Sequence, residues 1–573
     1  MAKITLESEN VAEALLELLA IRGVEYFVGG GAGTDFPFII EAYAKAQAEG
    51  KKVPIPITAV HEITAVSLAH GYAMVSGKPL FTLLHTIVGL ANGICGVINA
   101  SRARVPLFLA AGKTATSEKG HPASRFHIVQ WGQEAFDQGG MLREFVKWDY
   151  QLNHVEQLEA SIDRGLAITQ THPAGPVYLT LPVEVSGAPV DHLQIEDKPR
   201  INIPAVSIPV RSEIKKAVDA LVAADKPLII TSSMGREPAA VPELVKLAEN
   251  LGLPVIEYFH THLNFPQDHP LHLGFKHQDI IRDADVIMVI EADAPWTPVS
   301  EEPGEEATII VLDEDPLYTG YPYRGFPNDI TLGGNARETL CEMNAVFADL
   351  ELDTKKIESR KETYTARHQQ QRVNWEAEAT AASKQSPIDS KWISKCIADQ
   401  FNKETDIVIT EFILDSTQIC ITRPGTYFDH SHAGGLGWSS GAALGAKLAQ
   451  PDKTILCCIG DGTYTFGVPV ATHQMSAMHD LPVLFVIFNN AAWDRTRRGS
   501  RYVNKTGHVQ KTAEIPLCEL APAPAYEMVC EAAGGYGERV DEAAELPAAL
   551  ERALKVVREE GRQALLNVIC SKV

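Results

Sequence analysis

Two uninterrupted apolar runs, TILCCI at residues 454–459 and LPVLFVIF at 481–488, restrict the fold more than any other feature of this chain. Each has the length and β-favouring character of a buried strand, and neither shows the polar alternation of a half-exposed one. A polar turn closes each run: Gly460, Asp461 and Gly462 after the first, Asn489 and Asn490 after the second. Strands of this kind pair in parallel, and parallel strands need a long crossover, usually a helix. The expected fold is therefore α/β, with both polar turns at one edge of one sheet, where ligands collect.

The same rhythm runs through the rest of the chain. In residues 1–190, a helix over 10–22 precedes the strand VEYFVGG, and a strand at 55–60 precedes a helix starting at His61. PLFTLLH, VPLFLAAG and GPVYLTLP are further strands around a Gly-rich helix. Residues 187–210 are rich in Pro and polar side chains and read as a linker. Residues 191–350 repeat the pattern with KPLIITSS, LPVIEYF, DVIMVIEA and ATIIVLD, and 351–384 form a charged, helix-favouring connector. Residues 385–573 hold DIVITE, the Gly-rich stretch HAGGLGWSSGAALGAKLA, the two runs above and a last βα pair ending in ALLNVIC. Three open doubly wound parallel-sheet domains are expected.

Composition excludes some functions. With 51 basic and 73 acidic residues the formal net charge is −22, which repels nucleic acid and anionic membranes. No apolar stretch has the length of a membrane span. The nine cysteines include no C-x-x-C pair and read as reduced thiols. The start, MAKITLESENVAEALLELLAIRG, has no signal pattern, so a cytoplasmic location is expected.

Side by side at a sheet edge, Asp461 and Asn490 can meet at one hard cation. Oxygen donors suit Mg²⁺, which keeps waters and phosphate oxygens as its other ligands. Gly462 and Thr463 leave room for the backbone to approach a diphosphate at the start of the following helix. GDG alone and NN alone are common turns; their order, spacing and strand context together carry the reading. So arranged, they resemble the cofactor motif of thiamine-diphosphate enzymes. The resemblance implies that Asp461, Asn490 and the carbonyl of Ala492 ligate Mg²⁺, with Gly460, Gly462 and Thr463 at the diphosphate. It also implies a pyrimidine-binding domain at 1–190, a middle domain at 191–350, a connector at 351–384 and a diphosphate-binding domain at 385–573. AVHEITAVSLAHGYA resembles the family's HE-x-x-A…GYA segment and gives Glu62 the role of the carboxyl that activates the cofactor's pyrimidine. On local sequence alone a helix-start carboxylate is the better reading of Glu62, and the GDG…NN arrangement in the same chain is what favours the catalytic one.

PLFTLLHTIVGLANGICGVINASRARVPLFLAAG and RPGTYFDHSHAGGLGWSSGAALGAKLA are similar to segments of the benzoylformate decarboxylase and acetolactate synthase-like family. The likeness covers most of the first and third units and is weak in the middle one. By it, Gly435 and Leu436 lie against the cofactor, Leu436 as the bulky residue that bends it. His85 matches an active-site histidine, and Thr34 a serine that contacts the substrate carboxylate. Other roles compete: Leu436 as core, His85 as a structural strand-end histidine, Thr34 as the cap of a helix beginning near Phe36. The implied activity is thiamine-diphosphate- and Mg²⁺-dependent decarboxylation of a small 2-oxo acid or related carbonyl compound, the resulting enamine being protonated to an aldehyde or ligated to a second carbonyl. Within the family the alternatives are an acetolactate synthase-like carboligase and a 2-hydroxyacyl-CoA lyase. From another class, a flavin- or NAD-dependent dehydrogenase needs a G-x-G-x-x-G with a ribose-binding acid, and the lone turn in GGGAGTDF is weak. Because Glu62 and Asp461 come from different subunits in this family, a homodimer or homotetramer is expected.

Three stretches depart from the pattern. Benzoylformate decarboxylases carry a second active-site histidine in the middle domain, whereas VIEADAPWTPVSEE offers none and puts Trp296 in that region. After Asn490 the chain reads AAWDRTRRGSRY, with Arg495 and Thr496 where the family has substrate-facing residues. Guanidinium groups suit a carboxylate or phosphate, and a solvated loop is the plain alternative. The loop KTATSEKGHPASRFHIVQWGQEAFDQ carries His121, His127, Gln133 and Glu134, of which Gln133 matches a cofactor-side glutamine of acetolactate synthases.

Overall fold

The computed structural model describes residues 2–277, 280–348 and 350–572. Three wholly parallel sheets organise it. The first runs Ile55–Ala59, Tyr26–Gly30, Phe81–Leu84, Phe108–Lys113, Val177–Pro182, Asp149–Gln151. The third runs Tyr427–Phe428, Asp406–Thr410, Thr454–Gly460, Leu484–Asn489, Ala564–Ile569, Tyr536–Val540. Counted in chain order, both sheets are arranged second, first, third, fourth, sixth, fifth. Each therefore reverses direction between its first and third strands, and a crevice opens there beyond the carboxyl ends. The middle sheet runs Val255–Glu257, Pro227–Thr231, Val286–Ile290, Thr308–Asp313, Ile330–Gly333. Its helices include Arg211–Ala223 and Ala240–Leu251, and the connector is the long helix Thr354–Ala382.

The apolar runs lie where expected, as fully buried central strands. The short edge strands Asp149–Gln151 and Ile330–Gly333 carry no apolar run and had no signal in the sequence. The segment expected as a linker differs in one respect: Gln194–Glu196 pairs antiparallel with Lys3–Thr5. Its support is tertiary, since Arg22 donates to the Glu196 carbonyl at 3.0 Å while its other nitrogens hold Asp163 and Glu159.

Helices Glu62–Ser76 and Trp438–Ala449 join the first and third domains. Each is buried nearly all round, which a helix tolerates only inside a core. Here each is the other's cover. A Cβ on Gly71 would lie 2.1 Å from the Ala442 carbonyl oxygen, and one on Gly445 1.9 Å from that of Leu68. The two backbones thus touch, and Leu68, Tyr72, Trp438 and Ala442 belong to one apolar cluster spanning both domains. No helix among the described residues is long and apolar enough to cross a membrane.

Gly445→Ala should force this contact apart and destabilise the protein by roughly 1–3 kcal/mol, read as a lower thermal midpoint. Gly499→Ala, where a Cβ meets nothing within 4 Å, is the control and should not lower it.

Candidate active site

Asp461 and Asn490 leave neighbouring strands side by side, because Gly460 pairs with Phe488 in the register. The strand before Asp461 also borders Asp406–Thr410, so the turn overlooks the crevice of the third sheet. Asp461 is 2% exposed. The N–H groups of Gly462 and Ala491 point at its carboxylate, yet Oδ2 has no hydrogen-bond partner. Burial pushes its pKa up to about 6. Asn490 Oδ1 accepts from the Ala492 N–H at 3.0 Å, and the left-handed backbone of Ala491 (φ 50°) turns the chain between them. Gly462 packs on Trp493, whose ring a Cβ would meet at 2.4 Å, and Thr463 is half-buried in the next turn. Among the described residues no three His, Cys, Asp or Glu groups gather as a metal cage. A cation at Asp461 would complete its shell with amide, carbonyl, phosphate and water oxygens, which suits Mg²⁺. The hydroxyls of Thr410 and Ser440 are likewise buried without partners. The residues present fit a bound diphosphate with its cation.

The first sheet carries a second polar group at its own reversal. Residues 31–35 follow Tyr26–Gly30, and His85 follows Phe81–Leu84 as the residue before helix Thr86–Arg102. Glu62 opens helix Glu62–Ser76 behind the N-cap His61 and is 8% exposed. Asn92 donates to Glu62 Oε2 at 3.1 Å. The loop lies across both groups: a Cβ on Gly31 would meet Glu62 Oε1 at 2.4 Å, and one on Gly33 the His85 ring at 2.5 Å. Thr34 does not cap the following helix, which has no side-chain cap, and its hydroxyl is buried without a partner. Asp35, which the sequence reading did not single out, hydrogen-bonds His85 Nδ1 and accepts from the Thr86 N–H at 3.3 Å. Gln133 Nε2 lies 3.0 Å from His85 Nε2. The imidazole is thereby gripped at both nitrogens.

The loop 430–437 links the first and third domains. Asn99 grips Gly435 at both ends, accepting from its N–H at 3.1 Å and donating to its carbonyl at 2.8 Å. Glu411 accepts from the N–H groups of Gly437 and Ser439, each at 2.9 Å. Leu436 is only partly buried and belongs to no apolar cluster, so the core role is not the one it has.

The remaining candidates separate clearly. His121 and His127 accept from backbone N–H groups in their own turns, and Glu134 pairs with Arg125, so of that loop Gln133 alone reaches His85. Trp296 faces no crevice: it is 3% exposed and packs edge-on against Phe326 in the middle core. Arg497 and Arg498 contact Asp494, and Arg501 donates to the carbonyls of Val509 and Thr512. Arg495 and Thr496 are exposed. Asp35, Asn92, Asn99 and Glu411 were missed; Asp35 alone had a signal, its place beside Thr34 in a Gly-rich turn.

Three family models match in order. They are the N-terminal thiamine pyrophosphate binding domain of thiamine pyrophosphate enzymes at residues 9–141, their central domain at 214–343, and their C-terminal thiamine pyrophosphate binding domain at 414–568. The acetolactate synthase isozyme 3 large subunit of Escherichia coli K12 is 24% identical over 571 residues, covering 96% of this chain and 93% of its own. Benzoylformate decarboxylase of Pseudomonas aeruginosa is 23% identical over 569 residues, covering 96% and 97%. In fold, the chain matches the thiamine-diphosphate-dependent 4-hydroxybenzoylformate decarboxylase of Rhodococcus jostii RHA1 with a TM-score of 0.78, at 20% identity and with 98% and 99% covered.

The raised pKa of Asp461 means that its ionised form weakens the metal-free fold above about pH 6. That penalty fades as the pH falls toward the ordinary carboxyl value. Asp461→Asn should therefore stabilise metal-free protein by roughly 1–3 kcal/mol at pH 8 and by little at pH 4. With a cation held at Asp461, the same variant should also lose any stabilisation by added Mg²⁺ with thiamine diphosphate. Thermal melts with and without both ligands check each part.

Proposed function

Because the chain belongs to the thiamine-diphosphate enzyme family of decarboxylases and carboligases, we propose that it is a Mg²⁺-dependent decarboxylase of a small 2-oxo acid. The observation that carries this reading is His85, held at both ring nitrogens beside Glu62 and an unpartnered hydroxyl. Decarboxylation to an aldehyde needs a proton delivered to the carbon that has lost carbon dioxide, and His85 is built to hold one. With Asp35 accepting at Nδ1, the neutral ring accepts at Nε2 from the Gln133 amide. Gln133 Oε1 is buried without a partner, so a half-turn of the amide meets the Nε2–H of the protonated ring equally well.

Bound thiamine diphosphate supplies a nucleophilic carbon and an electron sink for the bond that breaks beside the carbonyl. The chain's residues divide the remaining work. Asp461, Asn490 and the Ala492 carbonyl hold the cation, with Gly460, Gly462 and Thr463 at the diphosphate. Gly435 and Leu436 shape the cofactor's seat, and Glu62, its Oε2 fixed by Asn92, exchanges a proton with the pyrimidine ring. Thr34 Oγ1 binds the substrate carboxylate. Arg495 stands ready for a second anionic group.

A second reading, carboligation, is supported by Gln133, whose place resembles that of a cofactor-side glutamine of acetolactate synthases, in contact with His85. The active unit is a homodimer or homotetramer. Phe126, Ile128 and Phe136 stand exposed on the loop that carries Gln133, and a second copy is the natural cover for so apolar a rim. The nine free thiols suit the cytoplasm.

Purified protein with thiamine diphosphate and Mg²⁺ should release carbon dioxide from one or more of a panel of 2-oxo acids, including pyruvate and benzoylformate. Glu62→Gln should lower that release roughly 10²–10⁴-fold. No release from any acid, despite tight cofactor binding, would turn attention to acyl-CoA or diketone substrates. His85→Ala should slow aldehyde formation more than substrate consumption and shift product toward acyloin, as chromatography of the products would reveal.

A further inference from the structure

His432 has no place in the roles assigned above, yet it stands where all three domains meet. It lies three residues before Gly435 on the loop 430–437. Its Nδ1 is 2.7 Å from Asp293 Oδ1, and its Nε2 is 2.8 Å from the Phe259 carbonyl oxygen. Both partners belong to the middle domain. Neither a carboxylate nor a carbonyl oxygen can donate, so only the doubly protonated ring satisfies both. His432 is an imidazolium by hydrogen-bond chemistry alone.

Its partners are themselves fixed. Asp293 Oδ2 accepts from the Tyr321 hydroxyl at 2.7 Å, and the Asp293 carbonyl accepts from Arg324 at 2.9 Å. Tyr321 lies under the guanidinium of Arg102, which also donates to the Gly320 carbonyl. Arg102 ends the helix that carries Asn92 and Asn99. Phe259 adopts a left-handed backbone (φ 43°) that aims its carbonyl at the ring. Two residues on, the Thr261 carbonyl accepts from the Asp429 N–H at 2.8 Å, and His262 bridges Phe428. The middle domain thus runs alongside the edge strand of the third sheet and clasps His432 just beyond it.

Resting on the functional reading above, we propose that His432 is a positioning residue, a charged latch that ties the loop bearing Gly435 and Leu436 to the middle domain and so sets how tightly the cofactor is held. Asp293, the Phe259 carbonyl and Asp429 favour the charged ring, the ring's charge in turn lowers the pKa of neighbouring His260, and Arg324 steadies Asp293. The Asp293 contact, against desolvation, raises the ring's pKa to about 9. The folded value lies above the ordinary one for histidine, so the latch is fully formed at neutral pH and is lost as pH rises through about 9.

The test is the binding of thiamine diphosphate with Mg²⁺, followed by tryptophan fluorescence, in wild type, His432→Gln and Asp293→Asn. Wild-type affinity should fall about tenfold between about pH 8 and pH 10. Both variants should bind about tenfold more weakly than wild type at pH 8 and show a flatter profile. Imidazole NMR of the cofactor-free protein should show one ring titrating near pH 9 that is missing from His432→Gln. Asp293→Asn, nearly isosteric, guards against a His432 variant that fails to fold. Variants that bind like wild type with the same profile, or no ring titrating in that range, overturn the latch. A wild type that binds no cofactor at any pH overturns the functional reading and the positioning role with it.

Discussion

The close approach of helices Glu62–Ser76 and Trp438–Ala449 is the contact on which the rest of the structure depends. Gly71 and Gly445 remove the side chains that would otherwise stand between the two backbones. The first and third domains consequently share one apolar cluster instead of meeting through a polar interface. A shared core behaves as one packed solid, so a displacement in one domain is felt in the other. The helix that begins with Glu62 and the helix that follows Leu436 are the same two helices. The packing that joins the domains therefore also anchors Glu62, at the start of one helix, and Leu436, just before the other.

Several of the buried polar atoms that lack partners lie at the two crevices. Asp461 Oδ2, Thr34 Oγ1, Thr410 Oγ1 and Ser440 Oγ are buried and unpartnered. Buried polar atoms without partners are costly, and a chain retains them where a ligand completes them. Glu411 shows the contrast: it is equally buried, but its two oxygens are taken by Gly437 and Ser439. It is a structural carboxylate that shapes a loop, whereas Asp461 is poised for something from outside.

The loop 430–437 shows how three domains converge on a few residues. The first domain contributes Asn99, the third Glu411, and the middle domain Asp293 with the Phe259 carbonyl. No single contact dominates. Their directions differ, so together they leave the loop little freedom. A middle domain with no proposed chemistry of its own thereby shapes the seat proposed for the cofactor.

The architecture was legible because its signals are local. Apolar runs of strand length, each closed by a polar turn, announce parallel strands whatever surrounds them, and GDG and the asparagine pair carry their own geometry. Asp461 and Asn490 could be singled out for that reason, and Glu62 by the resemblance of its segment once they were in view. Thr34 and His85 were legible as candidates, but their hydrogen bonding was not. Asp35 against His85, Gln133 against its other nitrogen, Asn99 against Gly435 and Asp293 against His432 join residues between 48 and 336 positions apart. The burial of Trp296 in the middle core was not legible either, since sequence position cannot say whether a side chain turns toward a crevice or a core. By itself the sequence determined the three α/β domains, their order and the residues at the strand ends, since periodicity and turn chemistry act over a few residues. Only the tertiary structure decided which polar atoms are satisfied, which histidines are gripped, and which domain holds which loop, since each of those depends on partners that folding alone brings within hydrogen-bond reach.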